Sequence, residues 1–167
     1  MTYSNWTAFS SSFSNNDETP GVITYINNCI SSLQFSLRND IFHHKNISCI
    51  SFFNWDSTFF LINIYSDSSQ LALKYLKDTE VNLSNIFIMT GDFNIRDSLW
   101  DPNFPHHFSH SDTLLEIANS FQIELSKPVV FSPTRFADNA WDLNLVLDLV
   151  FLCSNSQEFD NHYIHSD

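Results

Sequence analysis

The chain has 167 residues, 43% of them apolar, with 17 Phe and a formal net charge of −12; this suits one globular domain with a real core and excludes a chain that stays disordered as a whole. Seven Lys and Arg against 19 Asp and Glu exclude a broad non-specific DNA-binding face, which needs clustered cations to displace phosphate counterions. An acidic chain that acts on phosphates needs divalent cations to screen them.

Residues 1–19 are polar and rich in Ser and Asn, and read as a lead-in to a domain spanning 20–167. "GVITYINNC" (21–29) has the β-branched and aromatic content of a strand. "NISCISFFN" and "STFFLINIY" flank "WDS", the pattern of a hairpin with a short loop. "SSQLALKYLKDTEVN" (68–82) places Ala72, Tyr75, Leu76 and Thr79 on one helical stripe, with Ser68 or Ser69 as N-cap. "NIFIMT" (85–90) is an all-apolar strand, and "SDTLLEIANSFQ" (111–122) puts Leu114, Leu115, Ala118 and Phe121 on one face of a helix. "KPVVF" and "LNLVLDLVFL" complete the strands. Apolar strands interleaved with two helices predict an α/β sandwich of two sheets with helices outside.

No apolar stretch approaches the length of a membrane span, and the first residues lack the charged and apolar regions of a secretory signal. The expectation is an intracellular, non-secreted protein without a membrane partner. Cys29, Cys49 and Cys153 form no C-x-x-C pair and are expected to be reduced, with no disulfide-linked partner. With only two Gly, the tight bends fall to Asn, Asp and Ser.

Polar residues in apolar strands carry the chemical signal. Asp92 and Asn94 stand where strand 85–90 runs out, preceded by Gly91. In an extended chain residues i and i+2 project to one side, where a carboxylate can take a proton or position water and a carboxamide can donate to a developing oxyanion. The alternative is an Asx-turn that closes the strand. Asp148 shares its face with Val146, Val150 and Leu152, and a buried carboxylate must be paired, hydrogen-bonded or metal-bound. Tyr65 also ends an apolar strand, and these ends point to one rim of the sandwich. His106 and His110 have helical metal-pair spacing, but Pro102 and Pro105 make the segment a polar loop. Trp100 and Phe104 either stack on a ligand or anchor that loop, anchoring being the reading preferred.

The order of "NIYSD", "IMTGDFNIRDSLW", "SPTRFADNAWDLNLVLDLVFL" and terminal "SD" resembles the endonuclease/exonuclease/phosphatase superfamily, above all the endonuclease domains of LINE-type (non-LTR) retrotransposons. The resemblance covers about residues 20–167. It implies a four-layer α/β sandwich, two mixed β-sheets with outer helices, incomplete here, and phosphodiester hydrolysis with Mg²⁺ or Mn²⁺. By that resemblance Asp92 positions the attacking water and contacts the metal with Asp148. Asn94 and Tyr65 hold the phosphate, Arg96 and Trp100 lie along the substrate, and Asp167 orients a histidine that follows it. The substrate implied is DNA, to which the acidic charge is a poor fit, and the compartment implied is the nucleus.

Two departures from the family pattern shape the expectations. The family's early Asn and its Glu metal ligand lie on strands before "GVITYI", which are expected to be missing, and the final S-D-H motif stops at Asp167. No more than trace nicking is therefore expected, and strand 21–28 is expected to leave an exposed apolar edge or patch. The competing functions are a non-catalytic remnant of the same domain and a phosphatase of a small phosphoester.

Overall fold

The computed structural model describes residues 5–11, 19–30, 33–54, 56–79, 81, 83–101, 104–126 and 148–153, with Asn54 and Asp148 described by their backbone alone. The expected segments 127–131 and 143–147, and Asp167, lie outside the described residues.

Strands β1 (Trp6–Ser10) and β2 (Ile23–Asn27) pair antiparallel as a two-stranded sheet. A six-stranded sheet contains β3 (Gln34–Leu37), β4 (Ile47–Asn54), β5 (Ser57–Tyr65), β6 (Ile86–Asp92), β7 (Ile123–Leu125) and β8 (Asp148–Cys153). Its order is β3-β4-β5-β6-β8-β7, and β5–β6 is its parallel pair. Helix α1 (Leu71–Asp78) connects β5 to β6, as a parallel pair requires a crossover, and α2 (Ser109–Ser120) precedes β7.

Strand alternation sorts the large sheet into two faces. Ile47, Cys49, Ile62, Ile64, Met89, Leu149 and Phe151 form one face and are buried with Ala72, Leu73 and Leu76 of α1 and Leu114, Ile117 and Ala118 of α2. Burial pushes the Cys49 thiol up to about 12, so it behaves as a small apolar residue. The opposite face carries Ser48, Ile50, Leu61 and Asn63, and here the small sheet docks: Asn63 Nδ2 donates to Thr24 Oγ1 at 3.0 Å, and that hydroxyl meets Ser48 Oγ at 3.4 Å. Helices, large sheet and small sheet are the expected sandwich layers.

Three strands escape sequence reading. β1 lies inside the expected lead-in, and its mostly exposed residues are held by pairing with β2. β3 and β7 are four and three residues long, too short for a hydrophobic period to register. The α1 stripe includes Leu73 in the buried set, with Tyr75 and Thr79 half-buried; its N-cap is Gln70, in a left-handed conformation and without a side-chain cap, in place of Ser68 or Ser69. Ser69 instead donates its backbone N–H to Asp67 Oδ1 at 3.0 Å. On α2 the buried residues are Ser111, Leu114, Ile117 and Ala118, while Leu115 packs at the margin. The outer face of β1–β2 exposes Trp6, Ile23 and Tyr25, an apolar patch on the strand where one was expected.

The rings of Phe93 and Phe151 meet edge to face at 5.9 Å beneath the helices, both fully buried. Phe151→Ala should lower unfolding free energy by about 3–5 kcal/mol in urea denaturation. A loss below ~1 kcal/mol would show that this helix-facing core does not carry the fold.

Candidate functional site

Three expected residues fall on one rung of the large sheet. Tyr65 of β5 is the register partner of Asp92 of β6, and Asp92 is the register partner of Asp148 of β8. Directly opposed positions on adjacent strands share a sheet face, and this is the face turned away from α1 and α2. The row lies where β5 and β6 end and β8 begins.

Gly91 makes the rung possible. Its φ is 148°, and a Cβ there would sit 1.8 Å from the Ile64 carbonyl oxygen of β5. Only glycine allows the two parallel strands to approach this closely. One residue on, Ser66 donates its backbone N–H to the Asp92 carbonyl at 2.8 Å, extending the pairing past Tyr65. The Tyr65 N–H donates to the Asn46 carbonyl at 2.9 Å, and its side chain is exposed.

Asn94 reaches Asp92 by a turn and not by extended i, i+2 geometry. Its φ is 50°, a left-handed conformation that Asn tolerates, and its N–H donates to Asp92 Oδ1 at 3.0 Å. The Asx-turn is therefore present, and it holds both polar residues together at the strand end. Asn94 Nδ2 donates to the Ser66 carbonyl at 2.9 Å, tying the ends of β5 and β6. A carboxamide has two N–H donors, so one remains for a ligand. Beneath, Ser66 Oγ donates to Gln70 Oε1 at 2.9 Å and Gln70 Nε2 donates to the Phe93 carbonyl at 3.3 Å. Ser66 and Gln70 were not legible as site supports, because apart from their bond to each other their contacts run to residues distant in sequence through main-chain groups.

The loop after Asn94 sorts its expected residues differently. Trp100 is 2% exposed and donates its indole N–H to the Ile95 carbonyl at 3.0 Å. It is a loop anchor, and the expectation that it lines the substrate is corrected: its ring has no open face. Arg96 stacks its guanidinium carbon 4.4 Å from the Phe104 ring centroid, and its Nε and Nη2 are buried without hydrogen-bond partners. A cation so placed favours an incoming anion. Among the described residues no group of three His, Cys, Asp or Glu side chains, at His106 and His110 or elsewhere, lies within metal reach.

Asp97 is the residue that sequence reading missed. It is fully buried, and its carboxylate accepts the Leu99 N–H at 2.9 Å, the Phe108 N–H at 3.0 Å and His107 Nδ1 at 2.8 Å. Burial pushes its pKa up; the Ser111 hydroxyl nearby, the two amides and the His107 ring outweigh this and hold it down at about 2. The Asp-Ser-Leu turn was the available signal, but turn-forming Asp residues are common and its burial arises only from tertiary contacts.

A sequence profile described as "endonuclease-reverse transcriptase" matches residues 59–167. Among solved structures, the chain is similar to one titled "Endonuclease domain of TRAS1, a telomere-specific non-LTR retrotransposon", with a TM-score of 0.66 at 13% identity over 93% of this chain and 70% of that one. No curated protein sequence matches the chain.

Gly91→Ala should cost at least ~3 kcal/mol through backbone strain and the collision with β5, read as a lower urea midpoint. The Asp97 pKa, lowered from 3.8 to about 2, contributes about 2 kcal/mol of stability. Because the folded value is depressed, that contribution is complete above pH 3.8 and is lost as pH falls through about 2. Asp97→Asn should therefore flatten the acid limb of a stability–pH curve below pH 4; an unchanged limb would contradict the assignment.

Proposed function

Because the chain belongs to the endonuclease-reverse transcriptase family, we propose that it is the nuclease part of a retrotransposon-like element and hydrolyses phosphodiester bonds in DNA with a divalent cation. The observation that carries this reading is the rung itself: Tyr65, Asp92 and Asp148 are register neighbours across three strands, with Asn94 tied to Asp92 by its own N–H.

Asp92 and Asp148 suit Mg²⁺ or Mn²⁺. Both are hard oxygen donors, and Mg²⁺ commonly takes one or two carboxylates with waters and phosphate oxygens. A bound cation supplies charge neutralisation to the phosphodiester, which an acidic protein otherwise repels. Asp92 orients the attacking water and accepts its proton. Asn94 donates its second amide hydrogen to a phosphate oxygen, and Tyr65 offers its hydroxyl to another. Arg96, stacked on Phe104, adds a positive charge beside the site for a neighbouring phosphate. By the same resemblance Asp167 would orient a histidine.

The partner that this reading requires is nucleic acid, as the family match implies. Single-turnover nicking of supercoiled plasmid, with protein in excess, reads even a slow rate. Nicking should require Mg²⁺ or Mn²⁺ and fall at least ~10²-fold in Asp92→Asn. Metal-dependent phosphate release from a simple phosphomonoester with the plasmid left intact would replace this reading with the phosphatase one.

A further inference from the structure

The loop between Phe93 and α2 contains titratable groups that the rung does not use. His107 stands between two carboxylates: Nδ1 lies 2.8 Å from Asp97 Oδ2, and Nε2 lies 2.9 Å from Asp112 Oδ1. A neutral imidazole has a single N–H, so both contacts are donations only in the imidazolium. The two acceptors belong to different parts of the fold. Asp97 is the buried hub that also holds the Leu99 and Phe108 amides, and Asp112 is exposed in the first turn of α2. The ring thus ties the base of the loop to the start of the helix.

What the tie holds in place is a cationic and aromatic stack. Arg96 lies over Phe104, Phe104 stacks on Phe108 at 5.6 Å and 28°, and Phe108 is exposed. Nucleobases and phosphates are the groups that such a stack recognises. The stack begins two residues after Asn94, so the loop's conformation sets where Arg96 stands relative to the rung.

We infer that His107 is a positioning residue, and the inference rests on the nucleic-acid reading above: by bridging Asp97 and Asp112 it fixes loop residues 96–101 and 104–108 so that Arg96 and Phe108 meet a strand lying along Asp92 and Asn94. A pH dependence follows from the geometry. The charged groups that face His107 are Asp97 from the loop and Asp112 from α2. Hydrogen bonds to Asp97, then to Asp112, raise the His107 pKa above its ordinary 6.5, against a smaller opposing effect of burial. The tie is therefore complete below pH 6.5 and is lost as pH rises through the raised value. Asp97, at about 2, stays ionised as pH rises through the raised His107 value, so the change of charge in this contact is that of His107.

The test follows two signals on the purified chain across pH at constant ionic strength, without metal. One is the His107 ring titration by NMR, with amide exchange at Leu99 and Phe108. The other is binding of a fluorescein-labelled single-stranded oligonucleotide. Affinity should fall severalfold, and the two amides should lose protection, as His107 deprotonates. His107→Phe should show a flat binding profile. Asp112→Asn, which removes only the exposed partner, should lower the His107 titration point and move the binding profile to lower pH by the same amount. Binding with the same pH profile in wild type, His107→Phe and Asp112→Asn would overturn the positioning role alone. No oligonucleotide binding at any pH, with His107 titrating as expected, would overturn the nucleic-acid reading and the positioning role with it.

Discussion

Strand β6 is hydrogen-bonded on both edges, parallel to β5 and antiparallel to β8, and the candidate site depends on that double pairing. Its register with β5 sets Tyr65 beside Asp92, and its register with β8 sets Asp148 on the other side. A slip of one residue in either pairing would send one partner to the helix-covered face. Gly91 fixes the register at the critical point, because no side chain fits against Ile64 there. The buried face beneath, with Met89, Phe93 and Phe151, resists such a slip by requiring apolar residues at alternate positions.

Much of this was legible in the sequence, and the reasons differ by element. The β4–β5 hairpin, β6 and the two helices have long apolar patterns, so their periods declare them. Asp92 and Asp148 could be singled out because a carboxylate in an apolar strand is costly and needs a reason. That they are direct register partners was not legible, since pairing between segments so far apart leaves no local trace. β1, β3 and β7 were missed for a related reason: each is short, and its partner strand supplies the hydrogen bonds that hold it. Asp97 illustrates the limit, for its hydrogen-bonding partners include Phe108 and His107, ten residues and more along the chain.

The acidic composition and the proposed substrate pull against each other, and the proposed function needs a local means of reconciling them. Asp92 and Asp148 are register partners, and under the proposed function a cation between them would offset the repulsion that carboxylates exert on each other and on a phosphate. Arg96 adds a positive charge one loop away, stacked on Phe104 so that its planar fork keeps a fixed direction. If the substrate is nucleic acid, as proposed, affinity rests on a few placed charges and not on a basic field.

The central claim is that one divalent ion joins the strand ends at Asp92 and Asp148. Mn²⁺ is paramagnetic and broadens NMR signals near it, so a titration of the ¹⁵N-labelled chain at low Mn²⁺ locates the ion directly. The account predicts that amides of Ser66, Gly91 to Asn94 and Leu149 broaden first, and that Asp92→Asn abolishes the effect. Broadening centred on the exposed carboxylates of α2, Asp112 and Glu116, with the rung unaffected, would contradict it.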